Sequence, residues 1–211
     1  TKDITGRVSV FLDGKTDDGK PKYALFAHAY SPADTLKDRQ KEDNLAYDQW
    51  VAGGYMTATP GKVTRYEHVA HDIVDFGSRH AIQCIAYDKW MFSKFEECLQ
   101  DHNVDLPLVQ HPQGYNRSKE TELWMPGSIE AFENLLLEGR LRIAVNPALR
   151  AAISSATFTE SPAGLRRLDK QKATSRIDLA VAACMAIGAA VEGAVGATSP
   201  SYLEEEELLV L

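Results

Sequence analysis

The chain has 211 residues, which is enough for one sizeable core and too few for two ordinary enzyme domains. Hydrophobic residues make up 44% of it and charged residues 25%, a mixture that excludes collagen-like, mucin-like and wholly disordered proteins. No apolar stretch reaches the roughly 20 residues that span a bilayer, and no signal peptide opens the sequence, so we expect no membrane partner. Three cysteines form neither a CxxC pair nor an even disulfide set, which favours a reducing compartment.

The formal net charge is −7, which ordinarily argues against a nucleic-acid partner, but the charge is unevenly distributed. Glu204 to Glu207 contribute −4 near the C-terminal end. Five basic residues and Asp169 give a local charge of +4 further upstream. The five are Arg166, Arg167, Lys170, Lys172 and Arg176. Local charge is therefore more informative than the sum, and residues 193–211 are predicted to form a flexible acidic tail.

The pattern of apolar residues predicts strands that alternate with helices. Arg7–Leu12 and Lys22–Tyr30 are predicted strands of a β-hairpin, joined by a turn rich in glycine and charge. The next predicted elements in chain order are a polar helix over 35–51, an extended piece over 55–59, an amphipathic helix over 64–76, a buried strand over 81–87 and a helix over 90–100. They are followed by a strand over 106–109, a long helix within 118–139 and a short helix from 146. The last predicted elements are a second hairpin from 153–158 and 165–168, and a helix over 175–191. Hairpins at both ends favour a mixed sheet flanked by helices in a single α/β domain over residues 1–192.

Two patterns that resemble known motifs fail on spacing. The segment that ends in Gly61 and Lys62 has Met56 where a phosphate loop needs its first glycine, so the sequence predicts no ATPase. His68 and His71 lie three positions apart, whereas a zincin needs two histidines four apart. The sequence also contains no Gly-x-Ser-x-Gly nucleophile elbow.

Two aspartates stand out by position. Asp88 directly follows the predicted buried strand, where α/β proteins place their sites, although it could also cap the helix that follows. Asp178 lies in the first turn of an otherwise apolar helix. Its favourable interaction with the helix dipole could alone explain a carboxylate at this position. Convergent carboxylates bind hard cations such as Mg²⁺ or Mn²⁺, and two-metal phosphodiester hydrolases require them. Spacing alone does not establish that Asp88 and Asp178 converge.

Five segments, in this order, resemble one family. They are FAHAYSPADT at 26–35, WVAGGYMTATPGKVTRY at 50–66, IAYDKW at 85–90, ENLLLEGRLRIAVNP at 133–147, and the stretch from RID at 176–178 to MA at 185–186. Together they resemble the C-terminal nuclease domain of the large terminase subunit of tailed bacteriophages, part of the packaging motor that cuts concatemeric DNA. Each segment is weak alone, and the five in the right order make the resemblance strong.

The resemblance implies a ribonuclease-H-like fold and a metal-dependent endonuclease that cuts double-stranded DNA in the host cytoplasm. It implies that Asp88 and Asp178 bind metal, with two Mg²⁺ or Mn²⁺ ions as the expected cofactors. The basic residues Arg166, Arg167, Lys170, Lys172 and Arg176 would then contact DNA phosphates, although a solvated hairpin remains open. Portal protein and small terminase subunit are the further partners it implies. The terminase ATPase domain is not in this sequence.

One feature departs from the family pattern. The family carries a principal aspartate at the end of an opening strand, just before a segment like residues 1–5, and this sequence begins at that segment. Asp3 resembles a subsidiary acid, so either the sequence is a fragment or Asp3 substitutes as a metal ligand. Without that strand, we expect a sheet that lacks its middle and a site that lacks one carboxylate.

Two other functions stay open at this point. A non-catalytic docking module for the portal or small subunit would fit the incomplete acidic set and the acidic tail. A different ribonuclease-H-like nuclease, such as a resolvase, would share the fold and the carboxylates but prefer branched DNA.

Overall fold

The computed structural model describes residues 4–89, 92–101 and 106–192, which form a mixed α/β fold. The strands of this part of the chain are β1 (Thr5–Lys15), β2 (Pro21–Pro32), β3 (Met56–Thr59), β4 (Ile85–Tyr87), β5 (Leu108–Gln110), β6 (Leu141–Ile143), β7 (Phe158–Glu160) and β8 (Arg166–Leu168). The helices are α1 (Leu36–Asp43), α2 (Tyr47–Ala52), α3 (Tyr66–Gly77), α4 (Phe92–Asp101), α5 (Met125–Leu137), α6 (Pro147–Ser155) and α7 (Asp178–Val191). Asp3 and the predicted tail over 193–211 lie outside the described residues.

The β1–β2 hairpin is the backbone of the larger sheet. Its strands are antiparallel, with Val8 opposite Ala27 and Val10 opposite Leu25. Strand β2 also pairs in parallel with β3 at one end and with β6 at the other. The predicted hairpin and the predicted mixed sheet are therefore confirmed. The hairpin is longer than predicted, because backbone pairing extends to Thr5 opposite Tyr30 at one end and to Lys15 opposite Pro21 at the other.

Strands β4 and β5 form a second, parallel ladder. In the part of the chain that the structure describes, this ladder is not hydrogen-bonded to the larger sheet. Helix α7 packs against both β1 and β4, and it thereby joins the two ladders.

Helix α7 is the centre of the core. Its residues from Leu179 to Val181 and from Ala183 to Ala190 are buried, which explains why its sequence has no polar face. The small side chains of this helix allow α5 and β1 to approach it closely. The prediction of a buried helix rich in small residues is confirmed. None of the described helices has both the length and the apolar character needed to cross a membrane.

Several predicted boundaries were wrong for local reasons. The helix predicted over 35–51 is interrupted, because Asn44 adopts a left-handed conformation with φ of 51° and separates α1 from α2. The long helix predicted within 118–139 begins only at Met125, with Pro126 in its first turn, where a missing N–H is tolerated. Ile153 belongs to α6 rather than to the second hairpin, which is formed by β7 and β8.

Candidate active site

A cleft of about 680 Å³ lies beside the start of β1 and the end of β4, against α7. Asp88 and Asp178 both line it, together with Lys170. The two aspartates therefore share one cavity, although they come from segments far apart in the sequence. The shared cavity is the relationship that spacing alone left open.

Asp88 takes its position from the β4–β5 ladder. It directly follows Tyr87, the last residue of β4, and the backbone N–H of His111 donates to the Tyr87 carbonyl at 2.8 Å. Ile85 and Ala86 are buried, so the strand that leads to Asp88 is fixed in the core. The alternative role of Asp88, as a cap of the helix that follows, depends on residues 90–91, which lie outside the described residues.

Asp178 is the first residue of α7 and is 20% exposed at its side chain. The Lys170 ammonium group donates to its Oδ1 atom at 2.8 Å. Gly6 of β1 lies against the same backbone: a Cβ atom built on it would be 3.3 Å from the Asp178 carbonyl oxygen. The start of β1 and the start of α7 are thus packed directly on each other, which fixes the Asp178 backbone in the cleft.

These two carboxylates fit a hard divalent cation. Mg²⁺ is commonly held by one or two protein carboxylates, with water and substrate phosphate as its other ligands. Within residues 4–89, 92–101 and 106–192, no group of three or more His, Cys, Asp or Glu side chains could hold a metal ion. Among the described residues, the carboxylates that line the cleft are those of Asp88 and Asp178.

The five basic residues predicted to contact phosphate lie on β8, on the loop after it and before α7. Arg166 forms a two-pronged salt bridge with Glu133, with one N–O distance of 2.9 Å. Its guanidinium also lies over the Phe158 ring. Arg176 lies 3.7 Å from an Asp43 carboxylate oxygen. Carboxylates therefore neutralise part of the positive charge that the sequence concentrates here.

The other three basic residues differ in their surroundings. The Arg167 guanidinium lies over the Tyr115 ring, with its Cζ atom 5.3 Å from the ring centroid. Lys170 is paired with Asp178, and Lys172 is exposed on the same loop. Of these five basic residues, Lys170 is the one that lines the cleft with the two aspartates.

The cleft also contains residues that the sequence analysis did not single out. Arg7 and Gln113 line it, and so do aromatic side chains of α3, β4 and α4. The Tyr87 and Phe92 rings are stacked with centroids 3.5 Å apart. Arg7 could have been identified from the sequence as a candidate site residue, because an arginine at the start of an apolar strand is unusual. Gln113 lies in an irregular segment, where no periodicity indicates it.

A mixed sheet flanked by helices, with two carboxylates in one cleft, is typical of ribonuclease-H-like nucleases. The comparisons with known proteins agree with this class. A family model described as "Terminase large subunit, endonuclease domain" matches residues 2–194. The chain therefore belongs to the family of terminase large-subunit nuclease domains.

Two similar proteins come from one phage. The large terminase subunit of Enterobacteria phage HK97 is 34% identical over 188 residues, which cover 89% of this chain and 35% of that protein. The crystal structure of the HK97 bacteriophage large terminase matches with a TM-score of 0.74 and 30% identity, covering 90% of this chain and 40% of that chain. The chain thus spans well under half the length of these relatives. The ribonuclease-H-like fold that the sequence predicts is confirmed.

Proposed function

We propose that this nuclease domain is a metal-dependent endonuclease that cuts concatemeric double-stranded DNA during viral genome packaging in the host cytoplasm. The observation that carries the proposal is the shared cleft, which Asp88 and Asp178 both line. Family membership supplies the nuclease class, and the cleft supplies oxygen donors for divalent cations. We propose two Mg²⁺ or Mn²⁺ ions as the cofactors.

Each side chain has a separate role in this proposal. Asp88, at the end of β4, and Asp178, at the start of α7, hold divalent ions from two different elements. Divalent ions held there would supply the means to activate a water molecule and to stabilise the charge on the leaving oxygen. The packing of Gly6 against the start of α7 helps to fix the position of the Asp178 backbone. We propose Asp3 as a third carboxylate ligand.

Binding of the DNA backbone falls to the basic residues around β8. Cations beside phosphates supply the sequence-independent part of DNA affinity, which suits an enzyme with little sequence preference. Of the five candidates, Arg167 is held by an aromatic ring and Lys172 is exposed, so their charges are the most available to phosphate. Arg166, Lys170 and Arg176 each have a carboxylate partner, so we expect each of them to contribute less to phosphate binding in the absence of metal.

The test is plasmid cutting by purified variants with Mn²⁺ present. We expect Asp88→Asn and Asp178→Asn to abolish cutting while circular dichroism and the melting temperature stay those of a folded protein. Asp75→Asn is the matched control, because Asp75 pairs with Arg79 on the exposed face of α3 and does not line the cleft. Undiminished cutting by either cleft variant would refute the proposal.

The same assay separates the two other functions. A docking module for portal or small subunit, both proposed partners of the packaging motor, would bind its partner and never nick DNA. A resolvase-like enzyme would prefer a four-way junction over linear duplex of equal length. We expect equal cutting of the two substrates.

A further inference from the structure

Lys170 and Asp178 form an ion pair inside the proposed metal site. The ammonium nitrogen is 2.8 Å from Asp178 Oδ1, and both residues line the cleft with Asp88. The Lys170 side chain is 50% exposed and that of Asp178 is 20% exposed. A cation of this chain thus already lies against a carboxylate that is proposed to hold a divalent ion.

The loop that carries Lys170 is fixed at its base. The Asp169 carboxylate accepts hydrogen bonds from the Gln171 backbone N–H at 2.9 Å and from the Lys172 backbone N–H at 3.3 Å. It also accepts one from the Thr159 hydroxyl on β7. These bonds hold the loop against the β7–β8 hairpin, so the position of the Lys170 Cα is set by the fold. Only its long side chain is left to move.

We propose that Lys170 is a resident counter-ion of the metal site. A divalent ion displaces the Lys170 ammonium group from Asp178, and the ammonium group then turns toward the phosphate of the substrate. This inference rests on the proposed function. An ammonium group and a metal ion cannot both occupy the same face of the Asp178 Oδ1 atom. Since the Lys170 side chain is 50% exposed, the net stabilisation from the ion pair is small and a divalent ion can displace the ammonium group.

The pair has two consequences for the site. Without metal, Lys170 neutralises the Asp178 charge and keeps the carboxylate oriented into the cleft. With metal, the released ammonium group stays within reach of the cleft, because its loop is anchored by Asp169. Its charge is then available to a phosphate oxygen that lies beside the ion. Lys170 is therefore a positioning residue that also tunes metal affinity.

The test measures the Mn²⁺ dissociation constant by calorimetry on the chain and its variants, without DNA. We expect Lys170→Met to lower that constant by about fivefold, because the competing cation is removed. Lys170→Arg, which keeps a cation, should bind Mn²⁺ nearly as the unmodified chain does. Lys20→Met is the control: Lys20 is similarly exposed and lies 3.6 Å from Asp18 in the β1–β2 turn, outside the cleft.

The outcomes distinguish this inference from the proposed function. If the unmodified chain binds Mn²⁺ and Asp178→Asn loses it, but Lys170→Met binds no more tightly, the counter-ion role is refuted and the metal site stands. If Lys170→Met and Lys20→Met tighten binding equally, only net charge matters and the counter-ion role is again refuted. If no variant binds Mn²⁺ and the unmodified chain cuts no DNA, both proposals are wrong.

Discussion

Gly188 of α7 lies directly against Ser128 of α5, so close that a Cβ atom on Gly188 would overlap the Ser128 hydroxyl oxygen. The same Cβ atom would be 3.3 Å from His111 Nε2. Three segments therefore meet at one glycine: the end of β5, helix α5 and helix α7. This contact fixes the distance between the helix that begins with Asp178 and the β4–β5 ladder, whose strand β4 is directly followed by Asp88.

Gly188→Ala should destabilise the domain by about 1–3 kcal/mol, because overpacking forces helices or rotamers to shift. The measurement is the free energy of unfolding from urea denaturation. Gly114→Ala is the control, since nothing lies within 4 Å of a Cβ atom built there. Equal stabilities of the Gly188 variant and the unmodified chain would show that α5 and α7 are not held this closely.

Asn146 joins α6 to the central strand β2. Its Oδ1 atom accepts from the Leu149 backbone N–H at 2.9 Å, which caps the helix, and its Nδ2 atom donates to the Ala27 carbonyl at 2.7 Å. We expect Asn146→Ala to cost about 2 kcal/mol, since a cap and a buried hydrogen bond are both lost. Urea denaturation measures the loss.

Asn146→Asp separates the two bonds. An aspartate keeps the capping oxygen but places an acceptor against the Ala27 carbonyl in place of the donor. We expect its stability to fall clearly below that of the unmodified chain. A fully stable Asn146→Asp protein would mean that only the cap matters.

The buried His111 makes stability depend on pH. Its Nδ1 atom lies 3.1 Å from the Pro112 carbonyl, which can only accept, so Nδ1 carries the proton and Nε2 accepts from the Ser128 hydroxyl at 2.7 Å. Burial lowers the pKa of His111 to about 4 from an ordinary value of 6.5. Protonation on Nε2 would remove the acceptor that Ser128 uses.

The sign follows from the direction of this shift. Because the pKa is lower in the folded than in the unfolded chain, the unfolded chain takes up the proton first as pH falls below 6.5. We expect about 2 kcal/mol of stability to be lost from this residue between pH 7.5 and pH 4.5. In His111→Gln, whose side chain does not titrate, the unfolding free energy should change less over that range. Parallel pH profiles would contradict the assignment.

The salt dependence of DNA binding tests the basic residues. Log affinity falls with log salt, and each phosphate contact that is lost reduces the magnitude of this negative slope by about one. We expect Arg167→Gln to reduce that magnitude by about one and Arg166→Gln to reduce it less, because Glu133 already neutralises Arg166. Filter binding with metal-free duplex over a range of salt concentrations measures the slope. The reverse ranking would show that Arg166 leaves Glu133 for phosphate.

The periodicity of apolar residues was sufficient to predict the strands and helices that bury one continuous face. The β1–β2 hairpin and α7 follow their apolar patterns directly, so the alternating Val8 and Val10 and the small buried residues of α7 predict them. The break at Asn44 was not predictable in this way, because a polar helix carries no apolar stripe whose interruption could be seen. Strand β6 has three residues, too few to show alternation.

The candidate site was predictable only in part. The positions of Asp88 and Asp178 at element ends indicated that each was unusual, but their common cleft depends on how α7 packs across both ladders. The partners in the ion pairs were also not predictable from the sequence. The sequence displays a local charge of +4, whereas tertiary packing places Glu133, Asp43 and Asp178 beside three of the five cations.

We propose that Asp88 and Asp178 hold the divalent ions of a nuclease. The most direct measurement is a crystal structure after a Mn²⁺ soak, with the ions located by anomalous scattering. We expect ions in the cleft with carboxylate oxygens of both Asp88 and Asp178 at about 2.0–2.3 Å. Ions bound elsewhere, or ions that contact neither aspartate, would contradict it.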